Sequence, residues 1–443
     1  MLNLTQLITR TRLILLSICW VGSISNIVLG EKAEIFVNFC VVCFISFILL
    51  TLPKLRKGSF VILSILGGVG WLLLDHFPSS SEWMAAGRYS LVFCALIPTM
   101  ALVRATASVM PSVQKTQDAL ARLPSSTSIS GIQLAAHFFG GVLNMGVFPV
   151  LSAAIPKNSD EVRRKASAEA ALRGMVTSAA WSPFFIAFAV GQAFTGNLDS
   201  WIAISLGVVT AILFSAVSLP LTNRSFSRFQ LITSLACLKP VLLRLTLVLF
   251  AVLAVALLFN FTALSAVILV MPLLVILQVV RNSGTAKNVL RMTRVSMNET
   301  ADDIIIISMA MLIGYFATKT GALAFFVSSI YPGIITGWFA LIATPLVMML
   351  VSIIGIHPVI SGTALLGIFS GGAVDAHPAL LMQAHLIGWG AGTMPSVVSL
   401  SVITCAKLFN VSSLKLSFGQ NLWVSFVYAL VGGLLLSLLN YFI

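Results

Sequence analysis

Four prolines mark where this chain could do chemistry. Pro149, Pro183, Pro358 and Pro395 lie in apolar stretches of membrane-crossing length. A proline lacks a backbone N–H and pushes the residue before it out of helical geometry, so each predicts an interrupted helix whose second half starts at the proline. The carbonyls and amides freed by a break are tolerated in hydrocarbon only where protein or a cavity covers them. Around the breaks stand Asn144, Gly146, Thr177, Ser178, Ser182, Ser361, Thr363, Thr393, Ser396 and Ser399. Gly355, Gly388, Gly390 and Gly392 are expected to let the backbone turn sharply there. Carbonyls and hydroxyls are ligands for a hard cation, which places Na+ near Asn144, Thr177, Gly355 and Thr393. The amides and positive dipole ends of half-helices favour an anion in the same region. Ser182 directly before Pro183 has the form of an N-cap followed by proline at the first helical position. For Thr363 and Ser399 the competing expectation is a hydroxyl that returns its hydrogen bond to its own helix.

The remaining titratable residues narrow the chemistry. His357 precedes Pro358 and could bind the anion or carry a proton; His137 and His385 read as packing residues on apolar helices, and His76 and His377 as solvated loop residues. None of the thirteen Asp and Glu residues falls at an expected span centre, so a carboxylate proton relay is not visible. Asp302 and Asp303 fit the acidic bias of a helix start, and Arg104 and Arg173 read as snorkelling to the cytoplasmic surface. Cys40 and Cys43 have metal-motif spacing but sit in an apolar run with no partner pair.

Composition fixes the class. The chain has 443 residues, 58% of them hydrophobic and 9% charged, with a mean hydropathy of +1.04. That implies an all-α, polytopic membrane protein without a soluble domain. Eleven spans are expected near 13–30, 34–51, 59–76, 89–110, 174–195, 201–220, 241–258, 262–280, 303–319, 379–409 and 420–443. Two re-entrant hairpins are expected near 127–156 and 333–371. With the N-terminus cytoplasmic and the C-terminus outside, only Lys32, Arg88 and Lys319 of the 26 basic residues fall outside the inner loops and inner span ends. This distribution satisfies the positive-inside rule, so the net charge of +13 needs no nucleic acid. Span counting sends the first hairpin in from the cytoplasm and the second from the opposite face.

The interruptions also recur in order. LNMGVFPVLSAAIP corresponds to IIGIHPVISGTALLG, and RGMVTSAAWSPFFIAF to LIGWGAGTMPSVVSLS. Paired breaks at corresponding places point to a carrier's binding site. The expected organisation is an N-terminal span (1–33), a first repeat (34–220) with a broken helix at 174–195, and an inverted second repeat (221–443) with a broken helix at 379–409. Amphipathic stretches at 111–124 and 322–331 precede the hairpins and read either as interfacial arms or as plain loops.

With this span count, inverted halves and four interrupted elements, nearly the whole chain resembles the ion transporter superfamily. That superfamily includes divalent-anion/sodium symporters, citrate carriers and the large subunit of TRAP transporters. The resemblance implies a dimerising scaffold, a transport domain with both hairpin tips and both broken helices, and elevator-like movement. It also implies a homodimer in a bacterial inner membrane. The Ser-Asn-Thr signature at the hairpin tips of the divalent-anion symporters is replaced here by Asn-Met-Gly-Val-Phe-Pro and Gly-Ile-His-Pro-Val. The expected activity is transport of a small organic anion coupled to Na+, with H+ as the alternative coupling ion. A proton-coupled carrier or exporter using His357 and a TRAP-like assembly with accessory subunits stay open. An intramembrane enzyme would need a metal cluster or nucleophile–base pair, and no HExxH or paired intramembrane aspartates occur. GWGAG (388–392) follows no strand, so it reads poorly as a nucleotide loop.

Overall fold

A computed structural model of the chain describes residues 4–72, 74, 77–156, 158–223, 226–320, 336–370 and 374–443. These form helices and no strands. The first four are α1 (Leu4–Leu29), α2 (Glu34–Thr51), α3 (Lys57–Leu72) and α4 (Ser80–Ser108). Next come α5 (Pro111–Ala121), α6 (Ser125–Leu143), α7 (Val147–Ser152), α8 (Glu161–Ser178), α9 (Ile186–Gln192) and α10 (Asn197–Thr222). The middle of the chain forms α11 (Arg228–Ala236), α12 (Lys239–Phe259), α13 (Ala263–Arg281), α14 (Ala286–Glu299) and α15 (Ala301–Thr320). The last are α16 (Gly337–Ile353), α17 (Pro358–Phe369), α18 (Pro378–Thr393), α19 (Leu400–Phe409), α20 (Ser413–Ser417) and α21 (Gln420–Asn440).

Among the described residues, seven helical stretches are long and apolar enough to cross a membrane. Their exposed side chains are large and apolar, as with Leu243, Phe250 and Leu257 along α12. Such a surface is a liability in water and the expected one against lipid, so the chain is a polytopic, all-helical membrane protein. Segments read from sequence as basic loops are helical instead. The stretch 161–173 is the first part of α8, and α11 and α14 occupy two further basic stretches. In α14, Val289, Thr293 and Met297 are buried at helical spacing while Lys287 and Arg294 stay outside, which makes the segment amphipathic rather than irregular. The stretch 322–331, His76, and the ends of the second expected hairpin at 333–335 and 371 lie outside the described residues.

Packing divides the chain into two compact units, one from 1–106 with 251–323 and the other from 107–250 with 324–443. In the first, α1 packs on α2, α13 and α14, and α15 on α3. Asp302 and Asp303 do more than bias a helix start. Arg56 donates to Asp302 through its backbone N–H (3.1 Å) and Nε (2.9 Å), and its other guanidinium nitrogen reaches Asp303 at 3.3 Å. Arg104 donates to Ser296 at 3.3 Å.

The second unit holds all four interrupted elements. Gly174 lets α8 approach α6 closely, because a Cβ there would strike the Gln133 carbonyl. The polar centre of this packing is Arg173, which is 1% exposed and so does not snorkel to a surface. Its Nε donates to Gln133 Oε1 (3.1 Å) and a terminal nitrogen to Asn421 Oδ1 (2.8 Å). Gln133 donates on to Ser218 (2.8 Å), and Asn421 to the Glu169 carbonyl (3.3 Å). The guanidinium thereby ties α6, α8, α10 and α21 together. Removing one acceptor from a buried charge costs more than removing the charge and its partners together. Asn421→Leu should therefore lower stability by about 3 kcal/mol, while the triple change Arg173→Met, Gln133→Leu, Asn421→Leu should recover most of that loss. Thermal unfolding of the purified protein checks the order, and an unperturbed Asn421→Leu would contradict it.

Candidate functional site

The first hairpin is α6, a short turn at Asn144–Gly146, and α7, which returns far enough to touch α5 as well as α8. Asn144 makes the reversal. Its φ is positive, 53°, with ψ at −133°, a backbone conformation that residues other than glycine rarely adopt, and its Oδ1 accepts from the Met145 N–H at 2.8 Å. Among the described residues, the amide Nδ2 of Asn144 then has no acceptor at the tip. Pro149 is the third residue of α7, which starts at Val147 rather than at the proline.

The second hairpin, α16 and α17, turns through a Schellman motif. Gly355 (φ 96°) donates to the Ser352 carbonyl and Ile356 to Val351, both at 3.1 Å. His357 then caps α17: its Nδ1 accepts from the Val359 N–H at 3.1 Å, with Pro358 at the first helical position. The imidazole is thus neutral, and its Nε2 carries the proton. The expectation of bare amides at Pro358 is corrected, because His357 already holds them; what faces outward is an imidazole N–H. His377-Pro378 repeats the arrangement at the start of α18, with Nδ1 accepting from Ala379 at 3.2 Å. His377 is therefore a helix cap beside Asp199 rather than a solvated loop residue.

Two helices break. α8 stops at Ser178, and turns carry the chain through Pro183 before α9 restarts at Ile186. α18 stops at Thr393, and α19 restarts at Leu400, five residues after Pro395. Half-helices thus begin three and five residues beyond these prolines instead of at them. Ser182 is correspondingly not the N-cap of α9. Its hydroxyl donates to the Gly141 carbonyl of the first hairpin and accepts from the Phe184 N–H at 3.2 Å, fastening the break to the hairpin.

The glycines of GWGAG have a role other than turning. All three lie inside α18, where a Cβ on Gly388 or Gly392 would press on Met348 or Ser352 of α16, and one on Gly390 would meet the Val176 carbonyl at 2.9 Å. They bring the second broken helix against the second hairpin and against the last turn of the first broken helix. The packing is reciprocal beyond the breaks: α9 touches α17, and α7 touches α19.

Hydroxyl behaviour reverses the sequence expectation. Thr177, Ser178, Ser361 and Thr393 donate to carbonyls of their own helices, at 2.9, 2.6, 3.4 and 2.7 Å. Thr363, expected to do so, has a buried hydroxyl with no partner, and Ser399 sits at the start of α19 without a capping bond. Ser396 is buried in the second break, and Gly146 ends the Asn144 turn. Among the described residues no hydrogen bond joins Asn144 to Ser361, Thr393 or Ser396.

Four residues beside the breaks, two tryptophans and two histidines, have a sequence signal only in hindsight. Trp181 Nε1 donates to His137 Nε2 (3.2 Å), and His137 Nδ1 meets the Thr177 hydroxyl (3.2 Å), so a neutral histidine bridges the first hairpin and the first break. Trp389 stands between His357 (ring centroids 5.9 Å) and His385 (5.7 Å) at the second. His385 Nε2 donates to the Ala187 carbonyl of α9 at 3.1 Å. A tryptophan just before each break was the available clue.

No family model matches the chain, and no curated protein matches it. Among solved structures, the crystal structure of the Alcanivorax borkumensis YdaH transporter, described as having an unusual topology, is similar with a TM-score of 0.45 and 11% identity. The match covers 86% of this chain and 96% of that one, a likeness too loose to assign a family or an activity.

Proposed function

We propose that the protein is a secondary active transporter, not an enzyme, that moves a small organic anion across the cell membrane by elevator-like alternating access coupled to Na+. The observation that carries this reading is the contact of Gly390 with the Val176 carbonyl, which sets the ends of two interrupted helices side by side in one packed unit. α8 and α18 end near there, at Ser178 and Thr393, presenting carbonyls and negative dipole ends, and α17 begins beside Trp389 of α18, presenting a positive end. Thr177, Ser178 and Thr393 spend their hydroxyl protons on their own helices, so toward the site they offer lone pairs, which suit Na+. Asn144 Nδ2 and His357 Nε2 offer N–H groups, which suit a carboxylate or a similar anion. The unit with both breaks would move as one body, and a second copy of the chain would provide the homodimer.

Counterflow in liposomes with an imposed Na+ gradient tests the reading, after a thermal-shift screen of carboxylates, sulfonates and amino-acid derivatives with and without Na+ has chosen the probe. Asn144→Ala and Thr393→Ala should each reduce uptake about tenfold, the loss of one hydrogen bond or ligand of ~1.4 kcal/mol. Normal counterflow in both variants would refute the site.

His357 allows a separate prediction. His357→Asn keeps a capping acceptor and an N–H donor and should retain most transport, whereas His357→Ala loses both and should lose about tenfold. If uptake follows a pH gradient and ignores Na+, and His357→Asn abolishes that dependence, the carrier is proton-coupled through His357 instead.

A further inference from the structure

The first packed unit contains a groove of about 1110 Å³ that the transport reading leaves without a role. It is lined by α1 from Arg10 to Val21, by Phe36 and Phe39 of α2, and by faces of α13 and α14. Two hydroxyls on its wall, Ser17 and Thr293, donate to Leu13 and Val289 one turn earlier, each at 2.8 Å. An occupant therefore meets hydrocarbon almost throughout.

The exceptions are two cations. Arg10 lies at the start of α1 and Arg294 on α14, the amphipathic helix that follows the basic end of α13, and α1 and α14 pack on each other. Both arginines are exposed, and among the described residues neither is paired with a carboxylate. From Arg10 to Val21 the helix rises ~17 Å, close to half of a hydrocarbon core ~30 Å thick. Charge, depth and apolar lining together match a single molecule.

We propose that this groove holds one phospholipid with an anionic headgroup, its phosphate between Arg10 and Arg294 and its acyl chains along α1, α13 and α14. In the positive-inside reading this is an inner-leaflet lipid. The bilayer supplies the ligand, and two unpaired guanidinium groups select its charge.

Native mass spectrometry of the full chain tests this, with phosphatidylglycerol and phosphatidylcholine of identical acyl chains offered in equal amounts. The wild type should retain one phosphatidylglycerol in preference to phosphatidylcholine, and glycerol 3-phosphate alone should not bind. Arg10→Gln with Arg294→Gln should lower that retention about thirtyfold, the order expected for two interfacial cations at about 1 kcal/mol each. Ile276→Trp, which keeps both arginines and fills the groove from an exposed position on α13, should also expel the lipid. Equal retention of the two lipids by the wild type, or undiminished phosphatidylglycerol in either variant, overturns the proposal. So does a lipid-free dimer that Ile276→Trp converts to monomer, since the groove would then be covered by a second copy.

Discussion

A peptide group released from a helix inside an apolar medium must find a partner, and this requirement organises the second packed unit. An unpaired backbone group there costs several kcal/mol, so each break has its own device. The Gly355 turn returns two amides to α16. His357 takes the Val359 amide at the start of α17. Turns of the i to i+3 kind close the end of α8, and Ser182 satisfies the Gly141 carbonyl of the neighbouring hairpin. Beside the breaks, among the described residues, this accounting leaves over the Asn144 amide, the His357 Nε2 proton, the Thr363 hydroxyl and Nδ1 of His385, while elsewhere in the unit Gln192 and Tyr428 are among further side chains with buried polar atoms that lack a partner. Buried polar groups without partners, as at Thr363 and His385, are uncommon in folded proteins and call for an explanation.

The packed units do not follow the linear order of the chain. Each takes one segment from the early part of the sequence and one from the late part. Inside the second unit the two sets of interrupted elements are interleaved, with α9 on α17 and α7 on α19. The His137–Trp181 and His357–Trp389 pairs stand at matching junctions of hairpin and broken helix. A large aromatic ring against each neutral imidazole fills the space that an irregular backbone leaves. At His137 the Trp181 N–H also fixes which ring nitrogen carries the proton; at His357 the Val359 amide does so.

The presence of interruptions was legible because proline acts locally: it removes a donor and restricts its predecessor wherever it stands. Where the helix resumes was less legible. At Pro358 the preceding histidine can cap, and the helix starts at once; at Pro183 the preceding serine is taken by another element, and the start slips to Ile186. Glycine was ambiguous in the same way. Gly355 is at positive φ, but Gly388, Gly390 and Gly392 are helical and serve close approach, a property of the facing helices rather than of their own segment. Arg173 and α14 were misread for one reason. A basic residue near a span end suggests water, yet Gln133 and Asn421 make a dry site for the first, and an apolar stripe of Val289, Thr293 and Met297 gives the second a helical face.

Hydroxyl chemistry explains how one cluster of breaks could serve ions of both signs. A serine or threonine that donates to its own helix keeps only lone pairs for other ligands, so Thr177, Ser178 and Thr393 favour positive charge. A side chain that first accepts from the backbone is left with its N–H groups; this is the condition of Asn144 and His357. The local backbone bond therefore sets the polarity that each residue shows to a solute. Residue type alone leaves that polarity open, because a hydroxyl, an amide and a neutral imidazole can each donate or accept. Coupling then needs no carboxylate. A cation seated on carbonyls and hydroxyl oxygens would raise the affinity of the nearby N–H groups for an anion, and linkage requires the anion to raise the affinity for the cation by the same factor.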